Sequence, residues 1–335
     1  MKIVTINDVA REAGVSISTV SRAINNRPDV GEATRKKVLK AVEKLGYIKN
    51  TSAASLKQHQ TDFVAVVLRG RRNIFLTDLA ERILDIGKEK QLRFLIEIID
   101  EKADEFETVR RLYRERKLAG VIFLGSKLEG HEKEAEELDI PCVFSSIEAK
   151  FLNGKHISSV SIDNFSAGRE VTNRLVELGH RKIALLGYFG SISDSTGLRF
   201  HGAKESMEKH GIVFDKELYE ECDFTLPSSY AAMSRLLMRR KDFTAVFASS
   251  DIIAIGAMKA LNDWGFTVPG DVSVVGFDGT EQADYCIPSL ATMRQPSEQM
   301  AHTSVELLLE GMQGHEGKHV LLQPKWIESK SIRKL

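Results

Sequence analysis

What this chain of 335 residues lacks narrows it before anything it contains. No apolar run approaches the roughly 20 residues that a helical membrane span requires. Only three cysteines are present, Cys142, Cys222 and Cys286, far apart and without a C-x-x-C pair. An odd, scattered set reads as reduced structural thiols and argues against a disulfide framework. The opening Met1-Lys-Ile-Val-Thr5 runs into a polar helix with no apolar h-region, so a cytoplasmic protein is expected. Catalytic signatures are missing as well: no nucleophile elbow G-x-S-x-G, no Walker loop, no dinucleotide glycine fingerprint and no H-E-x-x-H. Ser193, Asp194 and Ser195 follow a strand in a glycine-rich loop, but no histidine is placed to activate them. His315 and His319 lie four apart among glycines and charges, with no third ligand evident. Neither an enzyme nor a metal or cofactor site is expected.

Net charge is also lacking, since 47 Lys/Arg balance 47 Asp/Glu, yet the balance is uneven along the chain. Residues 1–60 hold 11 basic against 5 acidic residues, and the remainder 36 against 42. A basic head of +6 on an acidic body of −6 concentrates attraction to phosphate at one end. The hydrophobic content of 42% and charged content of 28% are ordinary for a soluble globular protein. The length allows two or three domains.

What is present begins with Thr5-Ile-Asn-Asp-Val-Ala-Arg-Glu-Ala-Gly-Val-Ser-Ile-Ser-Thr-Val-Ser-Arg-Ala-Ile-Asn25. The pattern predicts a helix from about Ile6 to Ala13, with Val9, Ala10 and Ala13 on one face. Gly14 can take the positive φ that ends such a helix, and Ser16 suits the next N-cap. A second helix then turns Val20, Ala23 and Ile24 inward and leaves Ile17, Ser18, Ser21 and Arg22 outward. A third, about Glu32 to Leu45, should close a small core with Val38, Leu39, Val42 and Leu45. Its outer face carries Arg35, Lys36, Lys37, Lys40 and Lys44. Small residues at Ala10 and Ala13 permit a close crossing. This is a helix-turn-helix layout, although periodicity alone leaves any αα-hairpin open.

The order of residues is more specific. Asp8-Val-Ala-x-x-Ala-Gly-Val-Ser-x-x-Thr-Val-Ser-Arg-x-x-Asn25 resembles, almost position for position, the N-terminal signature of the lactose-repressor/galactose-repressor (LacI/GalR) family. The resemblance implies DNA contacts from Thr5, Ser16, Ile17, Ser18, Thr19, Ser21, Arg22, Asn25 and Tyr47. It also implies a hinge helix in Asn50-Thr-Ser-Ala-Ala-Ser-Leu-Lys-Gln58, with Leu56 and the preceding Ala53 meeting the minor groove across a dimer. Lys49 and Ala54 depart from the family's usual proline and arginine. Domains are thus expected at 1–49 (head), 50–60 (hinge) and 61–335 (body).

From Asp62 onward, short apolar runs alternate with amphipathic helices. Strands are expected at Phe63–Leu68, Phe94–Ile99, Gly120–Leu124, Pro141–Phe144, Val160–Asp163, Ile183–Leu186, Ala245–Ala248 and Val272–Phe277. Continuous apolar strands joined by helices imply α/β architecture, two doubly wound parallel-sheet subdomains with a ligand crevice at the strands' carboxyl ends. The resemblance extends through Leu178–Leu185, Val268–Asp278 and Arg294-Gln-Pro296, and implies a periplasmic-binding-protein-like body. It further implies effector contacts from Phe75, Arg199, Ser250, Asp251 and Asp278. Arg69, in the unusual loop Arg69-Gly-Arg-Arg-Asn73, is expected to face the same ligand, which would favour a sugar phosphate or sugar acid over a neutral sugar.

Together these observations point to a homodimeric, DNA-binding transcriptional regulator, a repressor controlled by a small sugar-like effector and reading a pseudo-palindromic operator. The alternative is a solute-binding or sensory module without specific operator binding.

Overall fold

The computed structural model describes residues 6–24, 30–45, 63–70, 72–100, 103–189 and 194–335. Contacts divide the chain into two compact units, 1–61 and 62–335.

The first unit is three helices: α1 (Ile6–Ala13), α2 (Ile17–Ile24) and α3 (Glu32–Leu45). Gly14 adopts a φ of 59° and ends α1. Its N–H bonds Arg11 O, and the Val15 N–H bonds Ala10 O, so two orphan carbonyls of the last turn are satisfied. Ser16 Oγ accepts from the Thr19 N–H at 3.1 Å and opens α2. Val9, Ala10, Ala13, Val20, Ala23, Val30, Val38 and Ala41 form one buried core, with Val42 and Leu45 at its edge. Leu39 departs from expectation: it is 47% exposed, and Ala41 takes the inward position. Val38, Ala41, Val42 and Leu45 form the i, i+3, i+4, i+7 stripe that faces the core, and Leu39 falls outside it.

The second unit is two sheets covered by helices. Its elements in chain order are β1 (Phe63–Arg69), α4 (Ile74–Glu89), β2 (Arg93–Ile99), α5 (Glu105–Arg116), β3 (Leu118–Leu124), α6 (Glu132–Glu136), β4 (Cys142–Ser145) and β5 (Ile157–Ile162). Then follow α7 (Asn164–Glu177), β6 (Ile183–Leu186), α8 (Ser195–Lys209), β7 (Tyr219–Glu220), α9 (Leu226–Arg239), β8 (Ala245–Ala248) and α10 (Asp251–Asp263). The chain closes with β9 (Ser273–Asp278), α11 (Glu281–Tyr285), β10 (Ala291–Arg294), α12 (Ser297–Met312), β11 (His319–Leu322) and β12 (Lys325–Ile327).

Strand order is β11-β5-β4-β3-β1-β2 in the first sheet and β12-β10-β9-β8-β6-β7 in the second. All pairings are parallel except that of β10 with β12. The central strands are buried on both faces, which is why they read as unbroken apolar runs.

The two lobes are not two consecutive halves. The chain passes to the second lobe between β5 and α7. It returns between β10 and α12, because Met300, Ala301, Val305 and Leu308 pack with Val64, Leu79 and Ile83 of the first lobe. It crosses a third time between β11 and β12. Three short crossings, near residues 163, 295 and 323, therefore join the lobes.

Candidate functional site

In the head, the outward face of α2 holds the residues expected to read bases. Ile17 is half exposed, Ser18 and Arg22 are exposed, and Thr19 is partly so. Ser16 Oγ lies 2.7 Å from Ser18 Oγ and 2.8 Å from Thr19 Oγ1, so one hydroxyl cluster marks the helix N-terminus. An exposed isoleucine beside hydroxyls and a guanidinium at the start of a helix is a poor packing surface and a suitable major-groove surface. Lys36, Lys37, Lys40 and Lys44 are exposed on α3, with Lys44 bound to Glu12 at 2.6 Å. Thr5, Asn25, Tyr47, Ala53 and Leu56 lie outside the described residues, as does the side chain of Ser21.

In the body, a cavity of about 390 Å³ lies between the lobes at the carboxyl ends of the strands. The first lobe lines it with Arg69, Asn73, Phe75, Leu76, Ser126, Lys127 and Ser146, and the second with Tyr188, Asp194, Ser195, Thr196, Arg199, Glu221, Asp223, Phe224 and Asp278. Gln295, from the second crossing, completes it. Ser195 Oγ donates to Ser146 O at 2.7 Å, a hydrogen bond from one lobe to the other.

Arg199 is the centre of the second-lobe wall. Its Nε donates to Asn164 Oδ1 at 2.9 Å, and its Nη1 to Ser249 O at 2.7 Å and toward Asp278 Oδ1 at 3.4 Å. The guanidinium carbon stacks 3.6 Å from the Phe277 ring centroid. Gly168 and Gly202 make this placement possible. A Cβ at Gly168 would sit 1.9 Å from Arg199 O, and one at Gly202 would sit 2.0 Å from Phe165 O. Helices α7 and α8 thus cross at backbone contact, which brings Arg199 against Asn164.

Asp278 ends β9 at a φ of 106°, and Gly279 follows at 72°. The turn aims its carboxylate at the cavity, where Gln295 Nε2 donates to Oδ1 at 2.7 Å. Burial, with the nearby charge of Asp251, raises this carboxyl to about 7 against the opposing pull of Arg199.

Of the expected effector residues, the structure brings Phe75, Arg199, Asp278 and Arg69 together on the cavity wall. It does not bring Ser250 and Asp251 there, which corrects the expectation for both. Ser250 caps α10, its hydroxyl facing the Ile253 N–H. Asp251 is fully buried and accepts from Thr292 Oγ1 at 2.7 Å and from the N–H of Thr280 at 2.7 Å. It ties α10 to β10 and to the loop after Asp278, so it supports that turn from behind. Arg69 is also differently engaged than expected. Its Nη2 pairs with Glu105 at 3.2 Å and its Nη1 donates to Ala103 O at 3.0 Å. Asn164, Gln295, Tyr188, Glu221, Asp223 and Phe224 were not anticipated. Only Gln295 left a trace, in the Arg294-Gln-Pro296 stretch that resembles the family. His319, considered for metal, sits 2.8 Å from Ser159 Oγ, and no group of three His, Cys, Asp or Glu is placed to hold a metal ion among the described residues.

Comparison with known proteins agrees with both units. Residues 5–50 match the family of bacterial regulatory proteins, lacI family, and residues 172–332 match the periplasmic binding protein-like domain. The HTH-type transcriptional regulator MalR of Clostridium butyricum is 38% identical over 330 residues, covering 97% of this chain and 98% of its own. Catabolite control protein A of Priestia megaterium is 32% identical over 313 residues, covering 92% of each chain. Among solved structures, the transcriptional regulator CelR–cellobiose complex shares 30% identity at a TM-score of 0.72, covering 98% of this chain and 99% of that one. The lac repressor dimer bound to operator and the anti-inducer ONPF shares 27% identity at a TM-score of 0.75, covering 99% and 100%.

Proposed function

Because this chain belongs to the lacI family of bacterial regulatory proteins, we propose that it is a cytoplasmic, dimeric repressor whose operator affinity is set by a sugar. One head reads one half-site, so two copies related by a two-fold axis read a pseudo-palindrome. Ile17, Ser18 and Arg22 are the base-reading residues. Residues 50–60 form the hinge, in which Leu56 enters a minor-groove step and Ala53 allows close approach. The effector occupies the cavity between the lobes.

The observation that carries the effector assignment is the pairing of a buried Arg199–Asp278–Gln295 network with aromatic rings at Phe75, Tyr188 and Phe224. Carboxylate, amide and guanidinium groups match the alternating donors and acceptors of sugar hydroxyls. Rings match the apolar faces of the pyranose. A ligand touching both lobes favours the lobe angle at which it fits, and so shifts the population of DNA-competent dimers. The cellobiose complex of the similar regulator CelR supports a sugar as the effector class.

Thermal-shift screening of the full chain against neutral sugars, sugar acids and sugar phosphates tests this reading, since a ligand of the folded state raises its melting temperature. A hit should also change the electrophoretic shift of a palindromic operator, and Arg199→Ala should remove both effects. A sugar that shifts melting in the Arg199→Ala protein as in the wild type would place the site elsewhere.

A further inference from the structure

Each of the two arginines on the cavity wall stands against a buried carboxylate. Arg199 faces Asp278 in the second lobe, and Arg69 faces Glu105 in the first, at 3.2 Å. The first-lobe pair is the less expected, because Glu105 comes from a different loop and is 1% exposed. It is the first residue of α5, and its Oε1 also accepts from the Lys127 N–H at 3.2 Å. Arg69 in turn holds Ala103 O. The three loops that follow β1, β2 and β3 are thereby joined through one ion pair at the cavity's edge.

The charge around the space follows from this arrangement. Three basic residues line it, Arg69, Lys127 and Arg199, against four acidic ones, Asp194, Glu221, Asp223 and Asp278. Glu105 adds a fifth carboxylate directly behind Arg69. Without Glu105, Arg69 and Lys127 would place two cations on the first-lobe wall, a fitting receptor for a phosphate or carboxylate. With Glu105 present, an anion entering there meets a guanidinium whose Nη2 already faces a carboxylate at 3.2 Å and whose Nη1 is held by Ala103 O.

We propose that Glu105 is a specificity-determining residue of the cavity: by neutralising Arg69 it makes the first-lobe wall accept uncharged polyhydroxy ligands and reject phosphorylated or carboxylated ones. The proposal rests on reading the cavity as the effector site. It replaces the sequence-based expectation of an anionic effector with a neutral one. Glu105 touches no ligand in this scheme; it positions and discharges the residue that does.

The test uses the full chain and inorganic phosphate as the probe, read by thermal melting with chloride matched for ionic strength. Glu105→Gln keeps the side chain's volume and removes its charge. It should gain a saturable, phosphate-dependent rise in melting temperature, with half-saturation at least about tenfold below that of the wild type. Adding Arg69→Gln should abolish the gain. Equal responses of wild type and Glu105→Gln, no gain in Glu105→Gln, or a gain that survives Arg69→Gln would each overturn the proposal. Should Glu105→Gln not fold, Glu105→Asp keeps the charge but draws it back from Arg69, and a smaller gain in the same direction is expected; none would overturn it. Failure of the underlying reading shows separately: a neutral sugar bound equally by wild type and by Asp278→Asn places the effector outside this cavity, whatever phosphate does.

Discussion

Asp278 holds its carboxylate in the cavity at a backbone angle that residues other than glycine seldom adopt, a strain of order 1–3 kcal/mol that recurs at ligand sites. Its carboxyl, raised to about 7 by burial, makes the cavity sensitive to pH. Between about pH 4 and 7 the folded state holds a proton that the unfolded chain, with an ordinary aspartate near 3.9, has lost. This group therefore favours folding most fully below pH 4, and that advantage is lost as pH rises through 7. Ligand binding should run the opposite way, because the ionised carboxylate is a stronger acceptor for sugar hydroxyls than the acid, which turns one of its oxygens into a donor. Calorimetry should find the effector bound more tightly at pH 8 than at pH 6, and Asp278→Asn should flatten the profile. A wild-type affinity equal at both values would remove Asp278 from direct contact. In the head, Arg22→Ala should cost about 1–3 kcal/mol of operator binding, concentrated at one base position. An equal loss on random DNA would reduce Arg22 to a phosphate contact. Arg199 and Asp278 were legible because the local motifs around them are distinctive. Arg69's true setting was not, since its partner Glu105 opens a helix 36 residues away and no local pattern joins them. Ser250 and Asp251 misled for a related reason: a polar pair at a helix start reads alike whether it faces a ligand, caps the helix or braces the turn behind the site.

Individual elements repeat this contrast between local and distant causes. The helix-turn-helix could be read from the sequence because its determinants are consecutive: small residues at the crossing, Gly14 at positive φ and Ser16 as cap. Most central strands of the body were legible as apolar runs for the same reason; β10, four residues long with a threonine and an arginine, was not. Short edge strands β7, β11 and β12 were not, because two to four partly exposed residues carry no periodicity, and their pairing is decided by the rest of the sheet. The crossing of α7 over α8 could not be foreseen either, although both glycines that permit it stand in plain view. Gly168→Ala should force the helices apart, since its new methyl meets backbone that has no rotamer with which to yield. Because Asn164 and Arg199 sit on the two helices, effector affinity should fall together with thermal stability, while the isolated head's fold is untouched. A variant that melts as the wild type does and binds effector normally would show that the crossing tolerates separation. The proposed hinge offers a parallel test. Leu56→Ala should weaken operator binding and reduce the DNA bend while leaving random-DNA affinity near its original value.

On the scale of the whole molecule, neighbouring apolar side chains left in water mark candidate contact surfaces. Tyr285 and Ile287, at and just past the end of α11 in the second lobe, are 78% and 96% exposed, and Ile96 and Ile98 on edge strand β2 of the first lobe are each half exposed. Scattered single exposures are ordinary, but a tyrosine and an isoleucine two residues apart, and two isoleucines on one face of an unpaired strand edge, form patches. The two-fold operator reading requires a second copy of this chain, and these patches are where it is expected to dock. Tyr285 and Ile287 bury little within one chain, so replacing them should cost the monomer little. Tyr285→Asp with Ile287→Asp places two carboxylates where each would be desolvated on association, a penalty of several kcal/mol that no new partner offsets. Sedimentation velocity should show the dimer shifting to monomer at concentrations where the wild type remains paired. Circular dichroism should show the same helix and strand content. Operator binding should become steeper and require more protein, because dimerisation is then coupled to it, whereas a covalently linked tandem of the variant should recover most of the affinity. An unchanged sedimentation coefficient would mean that the second-lobe patch lies outside the dimer contact, leaving the β2 edge as the surface to replace next.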